Sequence, residues 1–249
     1  MYFQRFPFVN YNFGDNEANT IFPNITAYID IVDQIKDEVS FYEKYTILDG
    51  DRPDIVSQML YDTPDYHWTF FFMNDGLRES GWPLSEREMR ALVKKRYPHR
   101  TVTTQSNIAS NFLPGDFVIG KTSGTTGRVI ERNLDLGQIV IASDKNEAGL
   151  NNNFGQTEQI AAGTTAEEQA ANTATLISES VQYNSTLYYK NSSGDIVDIN
   201  PYNQTTSGLV PTTIMEDNIN FNNKLKDIII IKPSKIASVV SEYFRLLKE

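Results

Sequence analysis

The run Gly115-Asp116-Phe117-Val118-Ile119-Gly120-Lys121-Thr122 satisfies the phosphate-loop spacing G-x-x-x-x-G-K-S/T letter for letter. In that motif a strand feeds a flexible loop whose backbone N–H groups wrap a phosphate, and a helix follows. The surroundings here do not suit that chemistry. Leu113-Pro114 precede the match, strand-forming Phe117, Val118 and Ile119 fill the supposed loop, and the turn Ser123-Gly124-Thr125-Thr126-Gly127 follows it. No acidic strand end stands ready to hold magnesium. The expectation is a strand and a turn, not a nucleotide site. Asp62, Asp65 and His67 form a second cluster with the ingredients of acid–base catalysis. No nucleophile or third orienting group accompanies them, so they read as helix-capping aspartates and a surface histidine. A G-x-S-x-G elbow for serine catalysis is also missing. Cysteine is absent, which removes thiolate zinc sites and cysteine nucleophiles together, and His67 and His99 are the only histidines. The chain is expected to be no enzyme and to carry no catalytic residue, cofactor or metal.

Charge narrows the partners. The formal net charge is −10, and no basic stripe is present to displace counterions from phosphates, so neither nucleic acid nor an anionic membrane surface is expected to bind. The one basic cluster, Lys94, Lys95, Arg96, His99 and Arg100, reads as a solvated helix C-terminus favoured by the macrodipole. No apolar run reaches the roughly 18 residues a membrane span needs. Met1-Tyr2-Phe3-Gln4-Arg5-Phe6 lacks the charged-then-apolar order of a signal peptide, so a cytosol-like compartment is expected.

The elements that would position these residues can be read from periodicity. The 249 residues allow one large domain or two to three small ones. Residues 1–25 are rich in Phe, Tyr, Asn and Pro without a period, as in an extended arm. Ile29, Val32, Ile35, Val39 and Tyr42 form one stripe of an amphipathic helix over 26–42. A strand is expected over 41–48. A helix should start at Pro53, with Ile55, Val56, Met59 and Leu60 inward, and a very apolar one should run from Asp65 to Asn74. Leu84 to Tyr97 makes a further helix, with a capping-box pattern at Ser85 and Glu88. Short β-rich runs at 116–119, 128–131 and 138–142, separated by glycine turns, suggest a small all-β insert. Residues 166–180 have helical potential, and 186–189 with 196–199 flank a hairpin turn. Residues 200–219 read as loop. A buried strand at 227–232 precedes a Ser234-capped helix to Leu247, with Ile236, Val239, Val240, Phe244 and Leu247 inward.

Several of these segments together resemble a known family. They are Asp51-Arg52-Pro53-Asp54-Ile55-Val56-Ser57-Gln58-Met59-Leu60-Tyr61, Asp65-Tyr66-His67-Trp68, Phe72-Met73-Asn74-Asp75 and Gly81-Trp82. Their order and spacing resemble the baseplate wedge subunit fifty-three family of T-even-type contractile-tailed phages. Residues 20–46, the stretch from Tyr188 to Asn200-Pro201-Tyr202, and the tail 225–247 are similar to the family's lead-in, hairpin and closing strand–helix. Residues 103–165 have no counterpart there and resemble Thr/Gly-rich β modules of other phage virion proteins. The block from Tyr45 to Asn74 is similar to a LysM fold whose second strand arrives late in the chain.

The resemblance implies an α+β fold with a LysM-like strand–helix–helix core, a long N-terminal arm, a small all-β insert and a C-terminal strand–helix. The matching division is an arm and lead-in helix over 1–44, a LysM-like core over 45–102, an insert over 103–165, and a hairpin plus strand–helix over 166–249. It also implies a structural role in the virion tail baseplate, with several copies in a six-fold assembly made in the host cytoplasm. Its partners would be other wedge and hub proteins, which it would join around the hub.

The residues expected to carry interfaces are Tyr2, Phe3, Phe6, Phe8, Tyr11, Phe13, Tyr66, Trp68 and Trp82. The competing reading is a LysM-type module that binds peptidoglycan or another glycan, with Tyr66, Trp68 and Trp82 stacking on sugar rings. Exposure separates the two, because a sugar groove needs those rings at a shallow surface.

Overall fold

The structure is a computed structural model that describes residues 7–12, 14, 20–23, 40–143, 153–202 and 206–246. The helix expected over 26–42 lies outside these residues up to position 39, as do Tyr2, Phe3, Phe6, Phe13 and Leu247. The described residues form a mixed α+β protein of two units. One comprises residues 1–87 and 221–249, and the other residues 88–220.

The first unit is built on one antiparallel strand pair. Tyr42–Thr46 runs against Asp227–Ile231, in register from Tyr42 opposite Ile231 to Thr46 opposite Asp227. Its helices are Pro53–Tyr61, Trp68–Met73, Asp75–Ser80 and, after the second strand, Ile236–Leu246. The core they share includes Val56, Phe70, Met73, Leu77, Ile228, Ile230, Val240 and Tyr243. Burying Ile, Val and Phe side chains to this extent contributes roughly 1.5–3 kcal/mol each before entropy is counted.

A two-stranded sheet leaves unpaired edges, and Asn74 closes part of one. Its Nδ2 donates to the carbonyls of Phe70 and Ile229, both at 2.8 Å, and its Oδ1 accepts from the Ile229 N–H at 2.8 Å. The side-chain amide thus pairs with Ile229 as a third strand would. Asn74→Asp would set a second acceptor against two carbonyls. We expect it to cost about 3 kcal/mol, read as a lower urea midpoint at unchanged m-value.

The second unit contains a closed six-stranded antiparallel barrel. Going round it, the strands are Arg100–Thr104, Gln138–Ser143, Thr126–Asn133, Phe117–Gly120, Gln159–Ala162 and Thr173–Val181, and the last pairs with the first. Val102, Val118, Val129, Ile139, Ile141, Ile160, Ala162, Ala174 and Leu176 fill its interior. Gly127 is required by the packing, since a Cβ there would meet Ile141 Cγ2 at 2.4 Å and the Ala142 carbonyl oxygen at 2.6 Å. Side chains from the connections join this core: Ile108 and Phe112 from the one after Arg100–Thr104, and Phe154 from the one before Gln159–Ala162. Arg132 holds the first of them, with Nη1 donating to the carbonyls of Ile108, Ala109 and Asn111 at 2.7, 3.2 and 2.8 Å. This unit also carries a three-stranded sheet in which Thr186–Lys190 lies between Ile196–Val197 and Val210–Thr213.

Several expectations are corrected. On the Pro53–Tyr61 helix, Ile55 and Met59 are 48% and 57% exposed, while Val56, Ser57 and Tyr61 point inward. The polar pair goes in because each hydroxyl finds a backbone carbonyl: Ser57 that of Thr63 at 2.7 Å, Tyr61 that of Ile231 at 2.9 Å. The single helix expected from Asp65 is instead a 3-10 turn, Pro64–Tyr66, capped by Thr63, and then the helix Trp68–Met73. Within 166–180 only Ala166–Ala171 is helical; Thr173–Val181 is the sixth barrel strand, its Ala174 and Leu176 turned inward. The barrel therefore runs past the expected insert limits of 103 and 165 at both ends. Residues 200–219 are not all loop, since the strand Val210–Thr213 leads into the helix Ile214–Lys224. A Thr213–Glu216 capping exchange starts that helix, with Thr213 N–H donating to Glu216 Oε2 at 2.8 Å and Glu216 N–H to Thr213 Oγ1 at 3.2 Å.

Candidate interaction surface

The arm contains a two-stranded hairpin. Phe8–Tyr11 pairs antiparallel with Thr20–Pro23, matching Val9 with Phe22 and Asn10 with Ile21. Strand geometry sends alternate residues to opposite faces, so Val9, Tyr11 and Phe22 share one face and Phe8 and Ile21 the other. Both faces are open: Phe8 is 70% exposed, Ile21 64% and Tyr11 55%. A two-stranded hairpin is marginal in water, and these side chains leave apolar surface on both of its faces.

The other expected interface residues turn inward. The Tyr66 ring meets Tyr61 edge-on at 6.0 Å. Trp68 lies 5.3 Å from Tyr243, 5.8 Å from Phe244 and 5.9 Å from Phe72. Trp82 packs on Phe70 and Phe71 at 5.8 and 5.9 Å, and its Nε1 donates to the Asp51 carbonyl at 2.7 Å. All three are partly buried against the first unit's core. Their rings are engaged by the chain's own aromatics.

The chemically suggestive clusters are structural as well. Asp62 ends a helix in a left-handed conformation, φ 59°, its N–H donating to the Gln58 carbonyl at 3.1 Å. The His67 ring nitrogen Nδ1 lies 2.8 Å from the Pro64 carbonyl. Gly115–Thr122 is a turn, the barrel strand Phe117–Gly120 and a second turn, with no helix after it. Of the basic cluster, Lys94 sits 5.7 Å over the Tyr183 ring. Arg100 corrects the expectation of a solvated helix end, because it enters the first barrel strand and pairs with Glu179. Burial pushes the Tyr61 hydroxyl well above its ordinary value, and the hydrogen bond to Asp217 raises that of Tyr188.

A groove of about 190 Å³ lies in the second unit, lined by Thr103, Gln105, Gln138, Ile177, Tyr189 and Pro201 among others. Its lining holds no charged side chain, and Gln138 already donates to the Thr186 carbonyl at 3.0 Å. Among the described residues no group of three or more His, Cys, Asp or Glu comes together. No helix among them is long and apolar enough to cross a membrane.

Sequence reading missed the polar side chains that hold the fold, namely Asn74, Arg132, Glu158, Glu179 and Asn222. Asn222 is typical of them: its Oδ1 accepts from the Leu84 N–H at 2.9 Å, and its Nδ2 donates to the Leu84 carbonyl at 2.8 Å. Partners so distant in sequence leave no local pattern. The exception is Glu158, whose partner loop carries a recognisable glycine-rich signature. Compared with family models and with curated proteins, the chain matches none.

Proposed function

We propose that this chain is a non-enzymatic structural subunit of a contractile phage tail, a baseplate wedge component that joins neighbouring wedges around the hub. The observation that carries the reading is the apolar hairpin of Phe8–Tyr11 and Thr20–Pro23, with Phe8, Ile21 and Tyr11 strongly exposed while Tyr66, Trp68 and Trp82 pack against the first unit's core. Such a surface is completed by another chain. A second support is the strand–helix–helix arrangement of the first unit, closed by a strand from the far end of the chain. That is the order of a LysM-like core with a delayed second strand.

The test is co-expression with the neighbouring wedge and hub proteins, followed by size exclusion and electron microscopy. Incorporation into a six-fold ring, with no adsorption to chitin or peptidoglycan, is the expected result. Failure to incorporate, together with measurable glycan affinity, would assign the chain to cell-wall recognition instead. Deleting residues 1–14, which removes one strand of the hairpin, is expected to leave a folded protein that no longer assembles. A truncated chain that still completes baseplates would show that the contact surface lies elsewhere.

A further inference from the structure

We infer that the Gly120–Thr125 turn is an anion cradle that the chain fills with its own Glu158 carboxylate, and that this latch holds Phe154 in the barrel core. The signature that imitates a phosphate loop thus describes real anion-binding geometry with an internal occupant. The N–H groups of Thr122 and Ser123 donate to Glu158 Oε2 at 3.2 and 2.9 Å. The other oxygen, Oε1, accepts from Ser123 Oγ at 2.9 Å and from the Gly155 N–H at 2.6 Å. Successive backbone N–H groups converging on one oxyanion are the device by which glycine-rich loops hold phosphate. Glu158 is 7% exposed, and its carboxylate accepts from these four donors.

The glycines follow from the occupant. A Cβ on Gly120 would come within 2.4 Å of Ser123 Oγ and 2.7 Å of Glu158 Oε1, so a side chain there would evict the carboxylate. Gly124 closes the turn at φ +68°. The Gly155 bond ties the cradle to the segment that carries Phe154, and neighbouring contacts hold that segment too. Thr125 Oγ1 donates to the Asn153 carbonyl at 2.9 Å, the Phe154 N–H donates to Glu179 Oε1 at 3.2 Å, and Phe154 itself is 4% exposed. Phosphate has no room while Glu158 is in place.

The test is hydrogen exchange on the full chain and on Glu158→Ala and Glu158→Gln. In Glu158→Ala the amides of Thr122, Ser123, Phe154 and Gly155 are expected to exchange at least about tenfold faster. Sodium acetate should restore part of that protection by entering the emptied cradle, whereas chloride at equal ionic strength should not. Glu158→Gln keeps the shape and one carbonyl acceptor, so it should fall between parent and alanine variant; it carries the test if the alanine variant does not fold. Unchanged exchange in both variants, equal effects of acetate and chloride, or binding of a nucleoside triphosphate by the parent protein would each overturn the inference.

Discussion

Replacing Trp68 with alanine is expected to cost the first unit about 3 kcal/mol and to leave adsorption to chitin or peptidoglycan unchanged. The ring touches Phe72, Tyr243 and Phe244, all core residues, and its removal opens a void among them that a two-stranded sheet is too small to collapse around. The figure is the low end for a tryptophan because the ring is only partly buried. Urea unfolding monitored through the remaining Trp82 measures it. Met59→Ala on the exposed helix face provides the contrast, with an expected change within about 0.5 kcal/mol. If Trp68→Ala abolished glycan adsorption at unchanged stability, the saccharide reading would replace the structural one.

Breaking the Arg100–Glu179 pair should have an effect at least as large in the barrel. The two side chains are 19% and 8% exposed, and Glu179 also accepts from the Phe154 N–H. Glu179→Ala leaves a buried guanidinium without its counter-charge and an amide without its acceptor, a loss of about 3–5 kcal/mol. Replacing both partners with apolar residues, Arg100→Met with Glu179→Leu, removes the stranded charge and should recover most of that cost. A double-mutant cycle by thermal unfolding gives the coupling directly. Additive losses would mean the pair is solvated and contributes little.

Much of the fold was legible because burial imposes a period. Asp227–Ile231 announces itself as a run of isoleucines, and Ile236, Val239, Val240 and Phe244 fall at helical spacing and are all buried. The phase of the Pro53–Tyr61 helix was misread because periodicity ranks side chains by apolarity alone. Ser57 and Tyr61 displaced Ile55 and Met59 from the core by satisfying carbonyls that no local pattern reveals. The sixth barrel strand was hidden for a related reason: Ala166–Ala171 is a good helix former, and the switch at Asn172 is set by pairing with Gln159–Ala162. The candidate surface was half legible. Aromatic excess marked the arm, but the same excess at Tyr66, Trp68 and Trp82 serves the interior, and composition cannot separate the two uses.

The strand pair that founds the first unit joins residues no closer than Thr46 and Asp227, 181 positions apart along the chain. Closing so long a loop is entropically costly, while the barrel strands all fall within one uninterrupted stretch of sequence. During synthesis every barrel strand emerges before Asp227 leaves the ribosome, so all the barrel's partners are present before those of the first unit's strand pair. Asn222 fastens the returning chain to Leu84 just before that late strand, so the first unit's strand pair can be completed only once nearly the whole chain has been made.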